Sequence, residues 1–134
     1  MKKLVLFLAI AVMGLTAATT FSYAAPQAAQ QDKTVSVDRL LHDFGTVPES
    51  DKGVKTVFYV TNNTDAPIMI LKVNTTCGCT AAVATKEPIA PGKKGEITVT
   101  YDTKDRPGPF VKEVTILTSG EPSTLKVQIK GTVQ

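Results

Sequence analysis

The chain has 134 residues, a formal net charge of +3, two cysteines, one histidine and no tryptophan. This length supports one ordinary domain and excludes an enzyme built from separate cofactor and substrate domains. Aromatic residues make up 6% of the sequence, which argues against a base-stacking surface for nucleic acid, and the single histidine excludes most histidine-based catalytic and zinc sites.

Residues 1–24 have the pattern of a secretory signal peptide. Two lysines precede the apolar run 4–15, and the small residues Ser22 and Ala24 precede the predicted cleavage site. The apolar run is shorter than the ~20 residues that a membrane-spanning helix needs. We therefore expect an exported protein, periplasmic or extracellular, whose mature chain begins at Ala25 and has no membrane span.

Residues 25–33 are rich in Gln and Ala and have no periodicity, which is typical of a flexible lead-in. From residue 34 to residue 134, apolar and polar residues alternate with a period of two, and turns rich in Gly, Pro, Asn and Asp separate the runs. The run Ile68–Val73 is apolar except for Lys72, which predicts a central strand. We predict strands at 34–38, 40–45, 54–62, 67–74, 79–84, 95–102, 110–118 and 124–133.

Short strands separated by regular turns predict an all-β domain over 34–134, an immunoglobulin-like β-sandwich of seven to eight antiparallel strands. The cysteines are too close in sequence to join two sheets, so we expect packing alone to hold the sandwich together. Lys126 is predicted to face solvent. The alternation predicts that the following side chains face the core: Phe58, Val60, Leu71, Val99 and Ile129.

The sequence Cys77-Gly78-Cys79 is the sharpest chemical feature. Two residues apart on a strand, the cysteines face the same side, and Gly78 permits a tight bend. They form a disulfide or a redox pair, whose one-residue loop favours a strained and labile bridge. Alternatively, they bind a soft metal such as Cu(I) or Zn(II), and a closed zinc site would need His42 and a carboxylate such as Asp43 to complete its four ligands. The third interpretation is two small buried residues without chemistry.

The pair His42-Asp43 resembles a catalytic dyad in sequence only. Neighbouring residues of a strand point to opposite faces, so the two side chains are poorly placed to hydrogen-bond. We expect instead that Phe44 packs in the core and that Gly45 turns the chain. The sequence has no nucleophile elbow, phosphate-binding loop or suitably spaced carboxylate pair. We therefore predict no catalytic residues and no cofactor.

Several separated motifs occur in order along the chain: His42–Val47, Val57–Thr64, Thr75–Thr80, Lys86–Gly92, Arg106–Gly108 and Ile129–Val133. Taken together, they resemble the secreted bacterial domain-of-unknown-function family 1573 over residues 35–133. The resemblance implies an immunoglobulin-like sandwich akin to major-sperm-protein and hydin-type domains, and it assigns no activity. The family often has an aromatic residue shortly after the cysteine motif, where this chain has Ala81-Ala82-Val83-Ala84.

These observations predict an exported, non-enzymatic module with a protein-interaction or envelope-structural role. Its expected partner is a protein of the cell envelope, since an edge strand of a sandwich can accept a partner strand by main-chain hydrogen bonding. Nucleic acid is not an expected partner. The alternative is a thiol-redox or copper-handling protein that uses Cys77 and Cys79.

Overall fold

A computed structural model describes residues 33–134, and the predicted signal peptide lies outside them. No helix in this part of the chain is long and apolar enough to cross a membrane. The period-two pattern gives eight strands, and the predicted bounds of β3 and β8 are confirmed. The strands are β1 Val35–Val37, β2 Leu41–Val47, β3 Val54–Asn62, β4 Ile70–Thr75, β5 Thr80–Ala84, β6 Lys94–Tyr101, β7 Gly108–Thr118 and β8 Thr124–Val133.

The strands form two four-stranded sheets, in the orders β1-β3-β6-β5 and β2-β8-β7-β4. This confirms the predicted immunoglobulin-like sandwich. Among the pairings between these strands, β2 pairs parallel with β8, and the others are antiparallel.

The core lies between the sheets, where each central strand contributes alternate apolar side chains. Phe58, Val60, Val99 and Ile129 are fully buried, as predicted, and Lys126 is exposed. Their partners across and along the sheets are also 0% exposed: Ile97, Val114, Ile116 and Val127.

The predictions for Leu71 and for its strand are wrong. Leu71 is 62% exposed, and β4 is an edge strand of its sheet rather than a central one. The register of β4 against β7 shifts between Ile70 and Lys72. This bulge lets Ile70 and Val73 both pack against the core while Leu71 and Lys72 face outward. A run of apolar residues therefore marks an irregular edge here.

A fully buried polar side chain, Asn62, fixes the loop before β4. Its amide nitrogen donates to the backbone oxygens of Ala66 and Ile89, both at 2.8 Å. Its side-chain oxygen accepts from the Thr64 N–H at 2.9 Å. Because a buried amide must be hydrogen-bonded to be tolerated, this network holds the segment around Ile89 against the loop.

Truncating a core aromatic residue tests the assigned faces. We expect Phe58→Ala to lower the free energy of unfolding by about 3–5 kcal/mol, because it removes a buried ring and leaves a cavity. Leu71→Ala, on the exposed side of the bulge, should change it by less than about 0.5 kcal/mol. Denaturant unfolding of both variants measures the difference. Equal losses would mean that the inward and outward faces are wrongly assigned.

Candidate functional site

The two cysteines lie in the turn between β4 and β5. A disulfide joins Cys77 to Cys79, whose Cα atoms are 5.3 Å apart. The Cys79 N–H donates to the Cys77 sulfur at 3.2 Å, and the Thr80 N–H donates to the Cys77 oxygen at 3.2 Å. The structure thus brings the predicted pair together, at the end of an edge strand instead of the central strand that we expected.

The disulfide sits where the core meets the surface. Cys79 is buried and Cys77 is half-buried, and both pack against core residues. The Thr80 hydroxyl lies 3.9 Å from the Cys77 sulfur and 3.8 Å from the Cys79 sulfur. One face of the bridge therefore meets a hydroxyl group, while part of Cys77 remains open to solvent.

His42, the third candidate metal ligand, is remote from the cysteines. It lies on β2, and the two strands β8 and β7 separate β2 from β4 in the same sheet. Within residues 33–134, no group of three His, Cys, Asp or Glu side chains is arranged to hold a metal ion. The structure therefore does not assemble the ligand set that the sequence suggested.

His42 and Asp43 have different neighbours. The His42 ring meets Phe44 edge-on at 4.6 Å, and Nδ1 lies 3.4 Å from an Arg39 nitrogen. Burial, and then the charge of Arg39, lower the pKa of His42 below its ordinary value. Asp43 instead accepts from the Gly45 N–H at 2.8 Å, which lowers the pKa of its carboxyl group. The two side chains do not act as a dyad.

The prediction that Phe44 packs in the core is confirmed, but the prediction for Gly45 is wrong, because Gly45 lies within β2 and not in a turn. Phe44 is half-buried and packs against the core, next to Phe110. Gly45 has a φ of +67°, a left-handed conformation that glycine adopts without strain. It lies at the irregularity that interrupts the pairing of β2 with β8, between Asp43 and Thr46.

An opening lined mainly by apolar side chains runs between β4 and β5, which are edge strands of different sheets. It has a volume of about 380 Å³ and is lined by Ile70–Val73 and Ala82–Lys86, which we call the β4–β5 groove. At one end the Thr75 hydroxyl donates to the Thr80 oxygen at 3.0 Å. At the other end Ile68 and Ile89 exchange two backbone hydrogen bonds of 3.0 and 2.7 Å. The groove is thus closed at both ends and open along its length.

Apolar side chains flank the β4–β5 groove on both sides. Leu71 is 62% exposed and Val83 is 67% exposed, while Ala82 and Ala84 are half-buried against the core. Sequence reasoning missed this site because it assigned Leu71 to the core. The sequence signal for this groove was the run Ala81–Ala84, because small side chains on β5 leave the space between β5 and β4 uncovered.

Comparison with known proteins supports the fold. The model of the family described as "Protein of unknown function (DUF1573)" matches residues 35–133. No protein among curated sequences matches this chain.

Solved structures of the same fold come from distant proteins. A protein of unknown function from Porphyromonas gingivalis W83 has a TM-score of 0.62 and 15% identity, over 74% of this chain and 46% of that chain. The PapD-like domain 7 of human CEP192 has a TM-score of 0.62 and 10% identity, over 82% of this chain and 92% of that chain. The YadV chaperone has a TM-score of 0.56 and 9% identity, over 75% of this chain and 52% of that chain. This chain therefore spans less than half of the Porphyromonas protein, and identities this low show the fold alone.

The chain's single histidine gives a direct readout of its surroundings. We expect the NMR titration of His42 to have a midpoint below 6.5, because burial and Arg39 disfavour the protonated ring. Asp43→Asn should lower the midpoint further, since the carboxylate favours the protonated ring. Because the pKa of His42 is lower in the folded chain than in the unfolded chain, the unfolded chain binds the proton at a higher pH. The contribution of His42 to the free energy of unfolding is therefore present above pH 6.5 and is lost as the pH falls below it. A midpoint at or above 6.5 would contradict the assignment.

Proposed function

The chain belongs to the DUF1573 family, and we propose that it is an exported, non-enzymatic β-sandwich module that binds a protein partner in the cell envelope. The β4–β5 groove carries this proposal. Exposed apolar side chains are common singly, but Leu71 and Val83 stand on two adjacent edge strands, on either side of an apolar opening. β4 and β5 are edge strands, and the unpaired main-chain groups of an uncovered edge strand can pair with a strand of another chain.

The structural neighbours support a binding role. One of them is named a chaperone, and another is a PapD-like domain. Each of these two proteins shares a β-sandwich of this kind with the present chain. A binding module needs a rigid scaffold and an accessible edge, and the described residues supply both.

The other main cleft supports a non-enzymatic role. It has a volume of about 370 Å³ beside Asp43, Phe110 and Lys130. The Lys130 ammonium lies 3.4 Å from the Asp43 carboxylate, so the two charged groups of the cleft neutralise each other.

Export is part of the proposal and rests on the sequence of residues 1–24. Their basic start, apolar run and small residues before Ala25 fit a cleaved signal peptide. An oxidising compartment also suits a chain in which a disulfide joins Cys77 and Cys79.

Thiol–disulfide exchange at Cys77–Cys79 is a second candidate function. It is favoured by the partial exposure of Cys77 beside a buried Cys79. In this exchange, a glutathione thiolate attacks the Cys77 sulfur, a mixed disulfide forms, and Cys79 leaves as a thiolate. A second glutathione thiolate then releases Cys77, so that glutathione is oxidised and the pair is reduced.

Site-specific cross-linking in cells that export the protein tests the binding role. A photo-cross-linking residue in place of Leu71 or Val83 should give a discrete protein adduct. The matched control is Val111, which is also 62% exposed but lies on β7, a strand paired on both sides. Adducts of equal yield at all three positions, or none at Leu71 and Val83, would contradict the proposal.

Intact-mass measurement of the exported protein tests processing and the second candidate in one sample. We expect a mature chain that begins at Ala25 and contains the oxidised pair. After equilibration with a glutathione buffer and alkylation, a working pair carries two labels and an inert bridge carries none. The Cys77→Ser, Cys79→Ser double variant is the unlabelled control. An intact Met1 would refute processing, and an unlabelled wild-type protein would refute the exchange.

A further inference from the structure

We infer that an extended segment of the partner protein adds as a strand to the free edge of β5 and places its apolar side chains in the β4–β5 groove. Acidic side chains of this segment meet Lys72 and Lys86. The inference rests on the proposed protein-binding function and specifies its ligand. Three features of the molecule support strand addition: the direction of the main-chain groups of β5, the side chains that line the groove, and the charges beside the groove.

The hydrogen bonds of β5 to β6 show which main-chain groups face the groove. The Asp102 N–H donates to the Cys79 oxygen at 2.8 Å, and the Thr85 N–H donates to the Glu96 oxygen at 2.9 Å. In an antiparallel pair, alternate residues bond to the partner strand, so the odd-numbered residues of β5 face β6. The N–H and C=O groups of Ala82 and Ala84 therefore point toward the groove, where no strand of residues 33–134 pairs with them.

The β5 edge suits a partner strand better than the β4 edge. The five residues of β5 pair with β6 in an unbroken register. The register of β4 is interrupted by the bulge between Ile70 and Lys72, and bulges protect an edge from further pairing. A partner segment of about five residues matches the length of β5, at a rise of ~3.3 Å per residue.

The groove offers room and an apolar surface. Its β5 wall is made of small side chains, including Ala82 and Ala84, and its β4 wall includes Ile70 and Val73, which pack against the core. A strand next to β5 would send alternate side chains toward these residues and bury them there. The exposed side chain of Val83 would gain a neighbour on the outer face of the sheet.

The opposite side of the sandwich shows how such a gap is closed from within the chain. There, between β2 and β3, the Arg39 guanidinium donates to the Thr56 hydroxyl at 2.8 Å and to the Val57 oxygen at 2.9 Å. It also lies 4.5 Å from the centre of the Phe58 ring. The β4–β5 groove has no comparable side chain among its lining residues, since its long side chains, Lys72 and Lys86, are exposed.

The charge beside the groove indicates the chemistry of the partner. Lys72 and Lys86 line it, and neither forms an ion pair with a carboxylate of the described residues. By contrast, Lys104, Lys126 and Lys130 each lie within 3.4 Å of a carboxylate oxygen. Two positive charges flanking an apolar groove favour an apolar segment with acidic residues at its ends.

Peptide binding to the purified mature protein tests this inference. The probe is a synthetic peptide of alternating valine and threonine with glutamate at both ends, and its affinity is measured by fluorescence anisotropy. Methylating alternate backbone nitrogens should weaken binding at least about tenfold, because two or more main-chain hydrogen bonds are lost. Replacing glutamate by lysine should weaken it about threefold or more at low salt. Equal affinity for the parent and the methylated peptide would overturn strand addition.

Variants of the protein give the reciprocal test. Ala82→Pro removes an N–H that faces the groove and spares the bonds to β6, so it should fold and bind the peptide at least about tenfold more weakly. Ala82→Ser keeps the N–H and is the matched control, which should bind like the wild type. Lys72→Glu with Lys86→Glu should reverse the preference toward the lysine peptide. If Ala82→Pro fails to fold, the methylated peptide and the charge reversal decide the matter.

The outcomes separate this inference from the proposed function. Cross-linking at Leu71 and Val83 without dependence on the peptide backbone would retain protein binding and overturn strand addition. Backbone-dependent peptide binding without cross-linking in cells would retain strand addition and overturn the envelope role. Wild-type protein that sediments as a dimer, and as a monomer after Ala82→Pro, would show that a second copy of this chain occupies the groove and would overturn the partner assignment.

Discussion

Each sheet of this sandwich has to bury one face against the other, because its central strands carry apolar side chains at alternate positions. Most inward side chains of β3, β6, β7 and β8 are buried, which contributes about 25 cal/mol per Å² of apolar surface. This burial fixes the register of the central strands, since a shift by one residue would turn every apolar side chain outward. The positions of the edges, the turns and the groove follow from it.

Two open sheets stacked in this way have four edge strands, and the chain treats its two sides differently. Near β1 and β2, the chain changes sheets and Arg39 fills the space beside Phe58. Near β4 and β5, it also changes sheets, but through a four-residue turn that holds the disulfide. A hydrogen bond from Thr75 to Thr80 links the two strands at one end, and a bridge between the flanking residues Ile68 and Ile89 links the chain at the other end. Between these two links, β4 and β5 lie apart. The second side is therefore the part of the described molecule that is best suited to receive another chain.

The disulfide and the groove belong to the same structural unit. Cys77 and Cys79 set the turn that closes one end of the groove, and Asn62 holds the segment that closes the other end. The disulfide fixes one end of the groove, and the hydrogen-bond network of Asn62 fixes the other end. Neither of them spans the middle of the groove.

The sequence by itself determined the fold class, the presence of eight strands and most of the core, because alternation with a period of two depends only on local side-chain order. It also placed the two cysteines on a common side, since only Gly78 separates them. It could not determine that Leu71 faces outward, because a bulge in β4 forms only when its partner β7 is in place. It could not show that two strands lie between the strand of His42 and β4, the strand that precedes the cysteine turn, since strand order is a property of the assembled sheet. The β4–β5 groove was likewise decided by tertiary structure, because it exists only where edges of two different sheets lie side by side.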